Sequence, residues 1–208
     1  MIYAKPDIVE TDIKVSVRGR YPTRSGMPRG LIIHYTSGRF DTHDDTINSL
    51  RHMAESGLGC MAMDIDGKIY RAANQPLDKV AFHAGNSMWQ GQRSISYYCV
   101  GIEVSCAGLL SAGETWWGTK IPKELTRHIS DQRDNQKPGT YHAFTALQEA
   151  SLINFCLWQL DTNPEFKIGW IVGHDEVAPN RKSDPGGSLS MTMPDFREMI
   201  RTLSAKVA

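Results

Sequence analysis

The sequence predicts an α/β domain with a mixed central β-sheet flanked by helices. Three observations predict it. Short β-rich apolar runs occur at residues 31–35, 99–106 and 168–174, and helical periodicity occupies 44–55 and 145–160 between them. An Asp66-Gly67 pair also sits between two β-rich runs, as in a hairpin. Strands alternating with helices, plus a hairpin, give a sheet of mixed direction in a single domain.

Residues 1–29 read as an irregular N-terminal arm, because Pro6, Pro22, Gly26 and Pro28 interrupt any period, and the domain proper is expected over 30–208. Leu31-Ile32-Ile33-His34-Tyr35 has the composition of a buried strand. From 44 to 55, Ile47, Leu50 and Met53/Ala54 recur at helical spacing, and Gly57 stops the helix. Residues 61–65 and 68–71 flank Asp66-Gly67, which suits a type I′ turn. Along 99–106, Val100, Ile102, Val104 and Cys106 face one side, and Gly101, Glu103 and Ser105 the other.

Residues 107–141 are rich in Gly, Pro and charge, with Trp116-Trp117 inside, and read as a long loop or insertion. Thr145-Ala146-Leu147-Gln148 has the form of a capping box opening a helix to about 160. Ala146, Ala150, Ile153, Leu157 and Leu160 line one face of that helix, which is expected to be largely buried. Residues 168–174 form the last strand, and Pro194 begins a helix to about 205.

A chain of 208 residues suits one domain, or one domain with a large insertion. Its 40% hydrophobic and 22% charged content is that of a globular protein with a real core. Lys plus Arg (23) equals Asp plus Glu (23), so no net field favours nucleic acid or an anionic membrane. No run approaches the ~18 apolar residues of a membrane span. The start of the chain, Met1-Ile2-Tyr3-Ala4-Lys5-Pro6-Asp7, lacks the apolar core of a signal peptide. The expectation is a monomer made in the cytoplasm, with no stable membrane association, whose extracellular work would need another export route. Cys60, Cys99, Cys106 and Cys156 show no CxxC spacing and read as free thiols.

Three residues stand out as metal ligands. His34 ends one apolar strand and His174 ends another, and active sites of open α/β sheets gather at strand C-termini. The Pro, Asn and Gly residues after His174 force turns that can bring Asp184 back toward it. Two imidazoles and one carboxylate leave a fourth tetrahedral position open, the pattern of catalytic zinc. A histidine at a strand end is also compatible with a purely structural role.

Leu31-Ile32-Ile33-His34-Tyr35-Thr36, Phe82-His83-Ala84-Gly85, Gly101-Ile102-Glu103, and Gly173-His174 with Arg181-Lys182-Ser183-Asp184-Pro185-Gly186 follow one another in the chain. In this order they resemble the type 2 N-acetylmuramoyl-L-alanine amidases, a family that includes phage endolysins and cytosolic muropeptide amidases. Its fold is shared with peptidoglycan recognition proteins. The resemblance runs from about Gly30 to Gly186, interrupted by 107–141, and its last motif is highly specific.

The resemblance implies zinc held by His34, His174 and Asp184, with peptidoglycan as substrate. Asp175 and Glu176 are rival carboxylates that read as a solvated loop face. Glu103, otherwise a buried salt-bridge residue, would be the general base. Lys182, two residues before Asp184, would stabilise the developing oxyanion rather than sit on the surface. His83, Asn86 and Trp89 are expected along the substrate groove, Trp89 being equally suited to packing. His43, His52, His128 and His142 read as surface or core histidines.

The expected reaction is hydrolysis of the amide joining N-acetylmuramic acid to L-alanine. An endolysin is favoured by the insertion, where Trp116, Trp117 and Tyr141 could stack on sugars while Lys120, Lys123 and Arg127 meet peptide carboxylates. A cytosolic enzyme recycling anhydro-muropeptides and a non-catalytic peptidoglycan-binding module are the alternatives. The presence of Asp184 argues against the last.

Overall fold

The computed structural model describes residues 3–16, 26–59, 61–73 and 75–206. Cys60 and part of the expected N-terminal arm (1–2 and 17–25) lie outside these residues. In chain order the elements are β1 (Ile8–Glu10), β2 (Gly30–Tyr35), α1 (His43–Glu55), β3 (Met61–Met63), β4 (Ile69–Arg71), β5 (Met88–Trp89), β6 (Gln92–Arg93) and β7 (Cys99–Val104). There follow β8 (Leu109–Leu110), β9 (Thr126–Ile129), β10 (Gly139–His142), α2 (Ala146–Thr162), β11 (Ile171–Gly173), the short α3 (His174–Val177) and α4 (Met193–Ala205).

Six strands form the central sheet in the order β1-β4-β3-β7-β2-β11. The β3–β4 pair is antiparallel and every other neighbouring pair is parallel, so the sheet is mixed as the sequence predicts. Its centre is β7 and β2, both almost wholly buried, and β2 opens with the continuous apolar run Leu31-Ile32-Ile33 that parallel strands need when both faces are covered. Leu31, Ile33, Val100, Ile102 and Val104 turn to one face and pack with Leu152 and Phe155 of α2 and Phe196 and Ile200 of α4. Ile32 turns to the other face, as do His34, Gly101 and Glu103 by strand alternation. On that side α1 packs Leu50 and Ala54 against Ala62 and Tyr70 of the β3–β4 hairpin.

The caps behave as their residues dictate. Thr42 with Asp45, and Thr145 with Gln148, make reciprocal capping boxes on α1 and α2. Thr192 caps α4, with Pro194 in its first turn.

Several elements differ from the sequence reading. The supposed arm contributes the edge strand β1, beside β4, and buries Ile13 and Val15 against α1. The hairpin turn is a three-residue loop, not type I′. Asp64 and Lys68 remain paired through the Asp64 N–H, Gly67 alone of the loop has positive φ, and the Asp64 carboxylate accepts from the N–H groups of Asp66 and Lys68. A type I′ turn needs positive φ at both central residues.

The buried residues of α2 are Gln148, Leu152, Phe155, Cys156, Leu157 and Gln159, so Leu157 is buried as expected while Ala146 and Ala150 are exposed. The Gln148 amide donates to the backbone oxygens of Asp64 and Ser105, so a polar residue occupies a stripe that counting apolar residues assigns elsewhere. The last strand is short, because residues 168–170 form a helical turn and His174 opens α3.

The insertion is built rather than a bare loop. β8, β10 and β9 form a second, antiparallel sheet, and Tyr141, Ile121 and Leu110 are buried. No helix among the described residues is long and apolar enough to cross a membrane. Cys99, Cys106 and Cys156 are buried.

Candidate metal centre

The parallel pairing of β2 with β7 on one side and β11 on the other sets three strand C-termini side by side. His34 lies opposite Glu103 in the β2–β7 ladder, and Ile33 opposite Gly173 in the β2–β11 ladder, so His174 leaves β11 level with His34. The chain then runs through α3 and a turn that returns Asp184 to both histidines. Among the described residues these three form a group able to hold a metal ion.

The geometry is close to an equilateral triangle. His34 Nδ1 lies 2.9 Å from His174 Nδ1, and each nitrogen lies 2.9 Å from Asp184 Oδ2. Four ligands about 2.0 Å from zinc lie roughly 3.3 Å apart in a tetrahedron, so the triangle needs little expansion to take the ion.

Hydrogen bonds on the far side of each ring say which atoms are free to bind. With its proton on Nε2, donated to the backbone oxygen of Ala84 3.2 Å away, His174 offers its Nδ1 lone pair to a metal; Arg181 Nη2 lies 3.4 Å from the same Nε2. His83 Nε2 is 3.2 Å from the backbone oxygen of Cys99 and must likewise donate. His83 Nδ1 is then the acceptor, 2.9 Å from His34 Nε2, which leaves the Nδ1 of His34 unprotonated as well. In these tautomers two nitrogen lone pairs and a carboxylate oxygen converge at 2.9 Å, an arrangement that a cation satisfies. The donor set fits zinc.

Charge in the site follows burial. Burial lowers the His34 pKa to about 4, opposed by its contact with Asp184 and aided by His174, so the ring is neutral, as a ligand must be. Burial acts to raise the Asp184 pKa, but its contacts with His174 and His34 outweigh it and hold the carboxyl well below the usual range. Glu103, with its Oε1 3.9 Å from His34 Nδ1, is raised well above an ordinary carboxyl, by burial and then by the Asp184 charge, with Lys182 pulling the other way.

These groups open into a cleft of about 840 Å³ whose far wall includes Asn48, His52 and Met53 of α1 and Trp116 of the insertion. Lys182 and Glu103 both line it. His83 also reaches the cleft, yet its ring sits behind His34. Gly101 makes the room, since a Cβ there would come 2.6 Å from His83 Nδ1.

Asn86 and Trp89 are not on the cleft wall. Asn86 is exposed and offers its backbone oxygen to Arg181, while the Trp89 indole donates to Gly169 and packs with Trp170 and Tyr98. Asp175 and Glu176 are not a solvated face. Asp175 is 2% exposed, with Asn135 and the Gly186 N–H on its Oδ2 and burial pushing its pKa up to about 8. Glu176 makes a two-pronged pair with Arg197 of α4.

Within the insertion Tyr141 is fully buried, against Gly186 and Gly187, and Arg127 donates to the backbone oxygens of Gly187 and Ser188. Neither is available to substrate. Trp117 is half-buried beside Phe40, and Trp116 alone of the three aromatics is broadly exposed. Arg181 escaped the sequence reading. It ties the ligand loop to the backbone oxygens of Ala84 and Asn86, and a lone arginine in a turn gives no signal of such partners.

The family model described as N-acetylmuramoyl-L-alanine amidase matches residues 24–187. The N-acetylmuramoyl-L-alanine amidase AmiD of Escherichia coli strain K12 is 26% identical over 157 residues, covering 75% of this chain and 48% of AmiD. The chain thus spans about half the length of that curated relative. Its fold is similar to that of AmpD, with a TM-score of 0.59, 21% identity, and 93% and 94% of the two chains covered. It is similar to E. coli AmiD in complex with anhydro-N-acetylmuramic acid-L-Ala-D-gamma-Glu-L-Lys, with a TM-score of 0.58, 21% identity, and 88% and 60% covered. It is also similar to the endolysin LysCS of Clostridium intestinale, with a TM-score of 0.53, 16% identity, and 96% and 98% covered.

Proposed function

This chain belongs to the N-acetylmuramoyl-L-alanine amidase family, and from that premise we propose that it is a zinc-dependent amidase cleaving the bond between N-acetylmuramic acid and L-alanine in peptidoglycan. The observation that carries this reading is the convergence of two imidazole nitrogens and the Asp184 carboxylate at 2.9 Å, with Glu103 beside them.

Zinc held by His34, His174 and Asp184 would supply Lewis acidity, polarising the scissile carbonyl and acidifying water. The protein's own groups do the rest. Glu103, its side chain 15% exposed on the cleft, takes a proton from the attacking water and returns it to the departing amine of L-alanine. Lys182, on the same cleft, sets its ammonium against the charge that develops on the carbonyl oxygen. His83 and Ala84 hold the two imidazoles in register through their far nitrogens.

The finer reading is that the substrate is polymeric peptidoglycan, as for an endolysin. The support is Trp116, which is 79% exposed on the cleft and whose indole N–H is fixed to the Ser37 oxygen, 2.7 Å away, leaving the ring free to meet a sugar. A recycling amidase acting on soluble anhydro-muropeptides is the second reading, favoured by the likeness to AmiD in complex with such a compound.

The test is digestion of purified peptidoglycan with analysis of the released ends. New L-alanine amino termini, with glycan strands left whole, are expected. New reducing sugar ends, or no products, would overturn the reading.

A further inference from the structure

We infer that the tip of the β9–β10 hairpin is a positioning device for the metal-ligand loop, with Asn135, Gln136 and Lys137 holding residues 175–193 so that Asp184 meets the two histidines already set in place. The inference rests on the zinc reading above.

Three consecutive side chains at this tip engage the loop on both sides of Asp184. Asn135 donates through Nδ2 to Asp175 Oδ2, 2.9 Å away, and accepts through Oδ1 from the Met193 N–H at 2.9 Å. Gln136, 1% exposed, points its amide nitrogen at the backbone oxygens of Gly186, Leu189 and Met191, at 3.2, 3.0 and 3.0 Å. Lys137 donates to the backbone oxygens of Pro179 and of Lys182, the latter at 3.0 Å.

Asp175 carries the connection inward. Its Oδ2 also accepts from the Gly186 N–H at 3.0 Å, and its own N–H donates to the Asp184 oxygen at 2.7 Å.

The need for such a support is physical. Between α3 and α4 the chain has no regular structure beyond a single helical turn at Gly186–Ser188, so its carbonyls lack ladder partners. A ligand on such a segment is not placed to the fraction of an ångström that a metal site requires unless neighbouring side chains hold it. The hairpin supplies those partners. Its tip is itself closed by paired backbone bonds between Arg133 and Gln136. No side chain at the tip belongs to the metal trio, so the effect passes through Asp175 and the loop backbone.

The test uses Lys137→Met and Asn135→Ala, with Lys137→Arg as the variant that keeps the charge and the donors. Gln136 is left intact because it is buried. Zinc release to a colorimetric chelator, the absorption spectrum of the cobalt-substituted protein, and thermal unfolding of the metal-free protein are measured on each. Lys137→Met and Asn135→Ala are expected to release zinc about tenfold faster or more, with altered cobalt spectra. Lys137→Arg should resemble wild type, and all metal-free proteins should unfold together.

Unchanged release and spectra in a zinc-binding wild-type background would overturn the positioning role alone. So would metal-free variants destabilised as much as their zinc sites, since the tip would then be ordinary core. A wild-type protein that takes up no zinc would overturn the metal reading itself, and the inference with it.

Discussion

Glu103 faces His34 across the β2–β7 ladder, its carboxylate oxygen 3.9 Å from the histidine's Nδ1. Parallel register puts both on one face, and burial of that face keeps the carboxyl's affinity for a proton high. A base in this place would act on water beside a metal held by the trio without being a ligand itself. Glu103→Gln and Lys182→Met are expected to keep zinc and fold while losing on the order of 10²-fold or more in kcat. Steady-state kinetics with elemental analysis of the same samples checks this. Near-normal turnover in Glu103→Gln would make it a structural residue.

His83 lines the cleft and also holds the Nε2 of His34, 2.9 Å from its own Nδ1. His83→Ala should weaken zinc binding by about 10- to 100-fold, the usual cost of removing a partner behind a metal ligand. Gly101→Ala should act in the same direction, because its Cβ would displace the His83 ring. Chelator competition measures both, and a variant whose zinc affinity matches wild type would show that the His83 bond does not matter.

Trp116 offers its ring to the cleft while Trp117 and Tyr141 are occupied inside the protein. If the substrate is polymeric, Trp116→Ala should lower the initial rate on intact sacculi by about tenfold, in line with loss of a stacking contact worth roughly 1–1.5 kcal/mol. The rate on soluble anhydro-muropeptide should change little. Strong wild-type preference for the small substrate would favour the recycling reading instead.

His142 governs an acid limb of stability away from the metal. Its ring is 6% exposed, packs on Phe40, lies beside the Cys106 thiol and accepts from the Ala107 N–H. Burial lowers its pKa from 6.5 to about 4. The folded state therefore binds fewer protons than the unfolded chain, and the stability from keeping the ring neutral is full above pH 6.5 and falls as pH drops toward 4. His142→Gln should unfold with a shallower pH dependence over that window, read as thermal midpoints at successive pH values. Parallel curves for the two proteins would refute the assignment.

The site was largely legible because its parts are local. His34 and Glu103 sit in strands whose apolar run and alternation can be read directly, and the Thr145 capping box is a four-residue signal. What escaped depends on distant partners. Asp175 and Glu176 look like loop acids until Asn135 and Arg197 arrive from other elements. Asn86 and Trp89 lie near a motif in sequence but are drawn off by Arg181 and Gly169. The second sheet went unseen because its strands are two to four residues long, too short to display a period.

The central claim is that His34, His174 and Asp184 hold one catalytic zinc. It is tested most directly by elemental analysis of the protein purified without chelators, alongside peptidoglycan hydrolysis by the same preparation. About one zinc per chain is expected in the wild type. His34→Ala, His174→Ala and Asp184→Ala should each lose most of the metal and nearly all activity. An active wild-type preparation holding less than about a tenth of an equivalent of zinc, or an alanine variant that keeps full activity, would contradict the account.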